Sequence, residues 1–206
     1  MHYASGIEAP GRLLRTAAVR ALLCVFVAGV VRLNRQPTPD VDNLLPYLLV
    51  AAVFAVNLIF VVLSRSGLSA FRLMAVQVWM DVLFVTALVY LTGGVGSDFL
   101  LLYFGPIIAA GTAFRRNVAL LVASVSTMGL FFCAAAYYST IASGAPLVAQ
   151  VWLAEGRLEP GALVGVLAMQ ASAFHLVAFL ASTLTMRLRT ASIQTEQILE
   201  NLSDGV

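Results

Sequence analysis

Two ionisable side chains, Asp81 and His175, lie in the middle of long apolar segments. Ionisable groups inside a membrane are costly and usually face the interior of a helix bundle, where they find polar partners. Gln77 lies one helical turn before Asp81 on the same face, and Asn57 is expected at a similar depth in another helix. The sequence therefore predicts a polar cluster of these four residues within the membrane.

This cluster has two interpretations. In the first it is a sensing site for a quinone headgroup or a proton, with a neutral Asp81 hydrogen-bonded to His175. In the second its members are hydrogen-bonding contacts that hold helices together, each contributing about 1 kcal/mol. The residue types fit both interpretations, so both stay open at this point.

No motif typical of an enzyme or a metal site accompanies the cluster. The sequence lacks the HExxH, paired CxxC, GxSxG and phosphate-loop motifs. Cys24 and Cys133 lie alone in apolar runs, which is typical of small packing residues. The net charge is only +2, and no basic arm is present. We therefore expect this chain by itself to carry no catalytic residues, no metal site and no nucleic-acid partner.

The elements that would position the cluster are membrane helices. Hydrophobic residues make up 61% of the chain and the mean hydropathy is +0.94, which is more apolar surface than a soluble domain of this size can bury. A span needs about 20 predominantly apolar residues. The sequence predicts an all-α integral membrane fold with six transmembrane helices, at roughly 13–32, 44–64, 70–91, 99–114, 117–141 and 160–187.

The placement of arginine predicts the orientation of these spans. With the N-terminus inside, the cytoplasmic ends carry nine arginines and the opposite side carries three, which is a positive-inside bias. Both termini are therefore expected in the cytoplasm. The nine are Arg12, Arg15, Arg20, Arg65, Arg72, Arg115, Arg116, Arg187 and Arg189, and the three are Arg32, Arg35 and Arg157.

A glycine-rich loop follows the third predicted span. Gly93, Gly94 and Gly96 permit a tight turn, and Phe99 begins the next apolar run. The loop lacks the GK[ST] ending of a phosphate-binding loop and is expected on the outer side. An ordinary tight connection and a ligand-contacting loop both fit these residues.

The last span is expected to extend into a polar, coiled-coil signalling helix over residues 188–202. Apolar or small residues recur there at alternating steps of three and four, which is the spacing of a two-stranded coiled coil. We call them the seam residues: Leu188, Ala191, Thr195, Ile198 and Leu202. Residues 203–206 are expected to begin a PAS-like domain.

The chain resembles the N-terminal six-span sensor region of bacterial PAS-containing sensor histidine kinases of the PilS-like group. Three features carry the resemblance. They are the six-helix layout with short outer loops, the stretch 91–107 that contains Gly93-Gly94 and Pro106, and the stretch 198–206, which is similar to the sequence by which a signalling helix enters a PAS domain.

The chain is more distantly similar to RegB-like and PrrB-like redox-sensing kinases. RegB-like proteins carry a quinone-linked element to which Gly93, Gly94 and Phe99 correspond. Ser97 and Asp98 stand where that element has asparagine and proline. This departure favours the PilS-like group.

The resemblance implies a membrane sensory domain in the bacterial inner membrane, forming a homodimer among membrane lipids. The last helix would carry a stimulus to PAS and kinase domains. ATP and Mg²⁺ would bind only in the kinase domain, which would pass a phosphoryl group to a response regulator. PilS-like kinases control type IV pilus genes, and their membrane region is thought to sense pilin, so a pilin transmembrane helix is an expected partner.

Three alternatives stay open at the sequence level. One is the quinone-sensing membrane domain of a RegB-like kinase, and a second is the membrane sensor of a diguanylate cyclase. The third is a small transporter, which the lack of an internal repeat disfavours.

Overall fold

The computed structural model describes residues 18, 20–22, 24–30, 45–63, 69–143 and 160–203. This described part is all helical and contains no β-strand, which confirms the all-α expectation for it. We number the helices in chain order. They are α1 (Arg20–Val30), α2 (Leu45–Leu63), α3 (Ala70–Leu91), α4 (Phe104–Ala113), α5 (Arg116–Ser143) and α6 (Pro160–Ser203).

Three of the described helices are long and apolar enough to cross a bilayer. Their apolar segments are Phe71–Leu91, Arg116–Ala136 and Gly161–Leu199. Three shorter apolar helices accompany them, at Arg20–Val30, Tyr47–Leu63 and Asp98–Ala113. Many large apolar side chains on the outside of the bundle are exposed, including Phe26, Ile59 and Phe132, as expected where lipid rather than water surrounds a protein.

The segment expected as the fourth span changes helix type partway along. Residues Asp98–Tyr103 form a 3₁₀-helix, and the α-helix α4 begins only at Phe104. Pro106 has no N–H, so it cannot make the α-helical hydrogen bond to the carbonyl of Leu102. The N–H of Phe104 bonds to Leu101 O in the tighter 3₁₀ pattern. The helix is therefore more tightly wound in the residues just before the proline.

The core lies between α3, α4, α5 and α6, and we call these four helices the core bundle. Tyr103, Ile107 and Phe174 are fully buried at its centre. The rings of Tyr103 and Phe174 have centroids 5.2 Å apart, and Phe104 meets Phe174 edge-on at 5.5 Å. These aromatic contacts join the start of α4 to the middle of α6.

Two glycines allow helices of the core bundle to approach closely. A Cβ on Gly111 of α4 would lie 2.8 Å from Ala181 Cβ on α6. A Cβ on Gly129 of α5 would lie 2.7 Å from Thr86 Oγ1 and 3.1 Å from the Tyr103 hydroxyl. Because no side chain intervenes, Tyr103 donates a hydrogen bond of 2.8 Å to Thr86 on α3.

The helix α6 is 44 residues long and has no break between the predicted last span and the predicted signalling helix. Its first half contributes buried residues such as Phe174 and Ala178 to the core bundle. From Met186 to Leu199 every residue is exposed. One continuous helix therefore runs from the core bundle into a segment whose apolar and polar side chains are both exposed.

Candidate functional site

Asp81, the carboxylate predicted to lie inside the bundle, is paired with Arg20. The Arg20 guanidinium Nη2 donates to Asp81 Oδ2, and this ion pair joins α1 to α3. Both side chains are largely covered, with 13% of Arg20 and 22% of Asp81 exposed. Opposite charges that pair inside a membrane domain remove most of the cost of burying either one alone.

A cavity of about 240 Å³ opens beside this ion pair, and it is partly open to the outside. It lies between α1, α2, α3 and the first half of α4. Apolar side chains form most of its wall, and Arg20, Asp81 and Asn57 are the lining residues with charged or amide side chains. The lining residues are Arg20, Cys24, Val27, Leu49, Val50, Val53, Asn57, Asp81, Phe84, Val85, Leu88, Leu102, Gly105, Pro106 and Ala109.

Two hydrogen-bond donors at this cavity have no partner within the described part of the chain. They are Nη1 of Arg20 and Nδ2 of Asn57. Asn57 is only 7% exposed, and the second guanidinium nitrogen of Arg20 is taken by Asp81. A buried donor without an acceptor costs about 1–3 kcal/mol, so each of these two groups calls for an explanation, such as a water, an ion or another bound molecule.

The structure divides the predicted cluster into two places. Asn57 and Asp81 line the cavity together, and Gln77 is buried one turn before Asp81 without lining it. His175 instead bonds through Nε2 to Ser124 Oγ at 3.1 Å, and its Nδ1 lies 2.8 Å from Ala171 O. Because a carbonyl can only accept, Nδ1 donates in that contact.

The hydrogen-bond partner of Asp81 is Arg20, and His175 bonds to Ser124 instead. The structure therefore does not contain the Asp81–His175 hydrogen bond of the first interpretation. Arg20, which the sequence analysis counted among the arginines at the cytoplasmic ends, is paired with Asp81 beside the cavity. The sensing role of the four residues stays a prediction.

The glycine-rich loop is a tightly packed connection. Gly93 and Gly94 have positive φ angles of 124° and 61°, which glycine adopts without steric cost. The Thr92 and Ser97 hydroxyls lie 2.6 Å apart, and Ser97 Oγ accepts from the N–H of Phe99 at 3.2 Å. Gly93, Gly94 and Phe99 are buried and Gly96 is exposed. A ligand-contacting role for this loop stays a prediction.

The seam residues lie on the exposed part of α6. Leu188 is 71% exposed and Ile198 is 60% exposed, and Ala191 and Thr195 are also exposed; the side chain of Leu202 is outside the described set. At the start of this part, Arg189 donates a 3.0 Å hydrogen bond to Thr112 O at the end of α4. Arg116 of α5 lies 4.4 Å from the ring centroid of Phe179.

The described residues contain no group of three His, Cys, Asp or Glu side chains arranged to hold a metal ion. Cys133 is buried in the core bundle, and Cys24 lines the cavity as a free thiol.

The fold and this site define a multi-pass helical membrane domain with a partly open cavity and a long exit helix. A comparison with protein families matches residues 12–194 to the PilS-like transmembrane domain, a six-span domain. The chain belongs to this family, which confirms the resemblance seen in the sequence and supports a membrane sensor domain of a histidine kinase in general terms. Searches among curated proteins and among solved structures find no significant match.

Sequence reasoning missed Arg20 as a member of the site. The signal was available, because Arg20 is flanked on both sides by apolar residues in Ala17-Ala18-Val19 and Ala21-Leu22-Leu23. An arginine inside an apolar run requires a partner in the bundle, and Asp81 was the available carboxylate. The positive-inside count had instead assigned Arg20 to the cytoplasmic end of a helix. The remaining arginines still show the same positive-inside bias without it.

Proposed function

We propose that this chain is the membrane sensory domain of a two-component sensor histidine kinase that passes a membrane-derived stimulus through α6 to cytoplasmic PAS and kinase domains. Membership of the PilS-like transmembrane family supports the general role. The proposal extends it to a homodimer in the bacterial inner membrane, with both termini in the cytoplasm. The response regulator, ATP and Mg²⁺ would meet only the kinase domain.

The observation that carries the proposal is the continuity of α6. Its buried half packs in the core bundle, and its exposed half continues without a break for 44 residues in all. Residues 188–203 alone extend about 24 Å at 1.5 Å per residue. A rigid helix of this kind transmits a shift or rotation of its buried half to whatever its exposed half contacts.

The contacts of α4 suggest how such a shift would begin. The first half of α4 lines the cavity with Gly105, Pro106 and Ala109. Its second half meets α6 closely, because Gly111 packs against Ala181 and Thr112 O accepts from Arg189. A movement of α4 at the cavity therefore acts directly on the start of the exit helix.

The seam residues are the proposed dimer contact. Leu188 and Ile198 offer large apolar side chains, while Ala191 and Thr195 are small or polar. A coiled coil with weak positions has two registers closer in energy than a coiled coil of leucines alone, and a two-state switch needs states within a few kcal/mol of each other.

The type IV pilus role belongs to this proposal through family likeness. A pilin transmembrane helix would have to pack against lipid-facing positions of the bundle, where small side chains allow close approach. Gly105 and Ala135 are exposed, whereas Ala110 and Ala134 are buried in the core bundle. The exposed pair would be available to such a helix.

The test is a fusion of this chain to a histidine kinase domain, reconstituted in membranes, with autophosphorylation as the readout. Replacing Ala191→Leu and Thr195→Leu together should lock the seam in one register and remove the response to the stimulus, while cross-linking still detects a dimer. Thr190→Leu with Gln197→Leu is the matched control, because these positions lie off the seam. Unchanged regulation in the seam variant would refute this mechanism.

A further inference from the structure

The cavity between α1, α2, α3 and α4 holds more hydrogen-bonding capacity than the described chain uses. Arg20 and Asn57 both line it, and the enclosed nitrogens Arg20 Nη1 and Asn57 Nδ2 both lack an acceptor among the described residues. They come from different helices, and Asn57 is more than nine-tenths buried. Two unsatisfied donors on one apolar cavity are the pattern that ligand pockets show, with a few polar groups fixing the orientation of a mostly apolar molecule.

The charge balance of the site favours an uncharged acceptor for these donors. Asp81 already neutralises Arg20, so the site as a whole carries no excess positive charge. An anionic headgroup would lie beside the Asp81 carboxylate and would meet like-charge repulsion in a medium of low dielectric constant. A carbonyl oxygen accepts from guanidinium and amide N–H groups without that repulsion.

The size and the walls of the cavity define the rest of the ligand. A dry cavity of about 150 Å³ accepts benzene, so about 240 Å³ is sufficient for a substituted ring or a short length of acyl chain. Val27, Val50 and Leu88 provide apolar walls. The opening allows an apolar tail to remain among lipids, which is the route by which a membrane-dissolved molecule would enter.

We infer that this cavity binds a neutral, lipid-soluble carbonyl compound, with Arg20 and Asn57 donating hydrogen bonds to its oxygens. Two sources share this chemistry, namely the ring carbonyls of a quinone and the ester carbonyl of an acyl lipid. The binding deepens the proposed sensory function and rests on it for its consequence, since the ligand would press on α4 and through Gly111 on α6. Binding itself is measurable without any output domain.

The binding experiment uses the full chain in nanodiscs with Trp79 as the reporter. The chain has two tryptophans, so Trp152→Phe leaves Trp79, two residues from Asp81, as the only one. Decyl-benzoquinone is added as a quencher, and methyl oleate is tested as a competitor and for its effect on thermal stability. Saturable quenching that methyl oleate does not displace would identify a quinone-type ligand. Displacement by methyl oleate, or its stabilisation of the chain, would identify an acyl ester.

Two variants and one control connect this binding to the cavity. Asn57→Leu removes one donor at similar volume and should weaken binding about tenfold, the equivalent of one hydrogen bond. Gly105→Phe should abolish binding, because Gly105 lines the cavity and nothing lies within 4 Å of its Cβ position to hold a larger side chain away. Gly165→Phe is the matched control on α6, since its Cβ position is equally open and it does not line the cavity.

Either of two results would overturn the inference. One is non-saturable quenching together with no stabilisation by methyl oleate. The other is equal binding by the parent chain, Asn57→Leu and Gly105→Phe. Neither would affect the fusion test of the seam, and a failed seam test would leave a positive binding result standing, so the two proposals fail separately.

Discussion

The core bundle and the cavity side of this domain are packed differently. In the core bundle, Tyr103 and Phe174 are fully buried against each other, and Ser126 Oγ is the one buried side-chain polar atom there without a partner among the described residues. The cavity side, which comprises α1, α2 and the lining faces of α3 and α4, encloses about 240 Å³ and leaves donors on Arg20 and Asn57 unused.

Under the proposed sensory function, the core bundle would support the fold and the cavity side would respond to a stimulus. Well-packed interiors transmit strain because they have few voids into which atoms can move. A cavity with unused donors is instead a region whose packing a bound molecule can change. The helix α4 belongs to both regions, since Gly105 lines the cavity and Gly111 meets α6. A single helix, α4, therefore connects the two regions.

The largest expected effect is loss of the central aromatic contact. Tyr103→Ala should destabilise the domain by about 4 kcal/mol, because it empties a fully buried position and removes the hydrogen bond to Thr86. Leu49→Ala on the cavity wall should cost about 1 kcal/mol, since that side chain already borders empty space. Unfolding in mixed detergent micelles measures both. Equal losses would remove the distinction between the two regions.

Apolar runs predict much of the helical layout, because hydropathy is a property of single residues. The run 70–91 corresponds to α3 at Ala70–Leu91, and the run 117–141 lies within α5 at Arg116–Ser143. The partner of Asp81 did not follow from the runs, because the choice between Arg20 and His175 depends on which helices are neighbours. The close contacts of Gly111 and Gly129 likewise depend on packing between helices that are distant in sequence.

The ion pair at the cavity provides the next test. Arg20→Leu leaves Asp81 without its cation and should cost about 3 kcal/mol, because breaking a buried pair leaves an uncompensated charge. The double variant Arg20→Leu with Asp81→Leu should recover most of that stability, since it buries no charge at all. The same unfolding assay checks both variants. A double variant as unstable as the single one would show that the pair is not the source of the loss.

Alanine at two glycines of α4 compares its two halves directly. Gly111→Ala should destabilise the domain by about 2 kcal/mol, because the new Cβ would lie 2.8 Å from Ala181 Cβ and 3.2 Å from Ser182 N. Gly105→Ala should change the stability by less than about 0.5 kcal/mol, because its Cβ meets nothing within 4 Å beyond its chain neighbours and the helix preference of alanine is offset by the restriction that Pro106 places on the residue before it. Thermal unfolding measures both variants. A loss from Gly105→Ala as large as that from Gly111→Ala would contradict an open cavity at that position.

The smallest expected effect is on the cavity side, where removing a buried polar group should hardly change the free energy of unfolding. Asn57 Nδ2 has no acceptor in the described chain, so Asn57→Leu removes an unsatisfied donor and keeps a similar volume. The variant should be within about 0.5 kcal/mol of the parent, or more stable, whereas an asparagine satisfied within the protein would cost about 1 kcal/mol on replacement. Unfolding of ligand-free chain measures this difference. A clear loss of stability would mean that the protein itself, rather than a bound molecule, uses the Asn57 donor, and the cavity would then need another explanation.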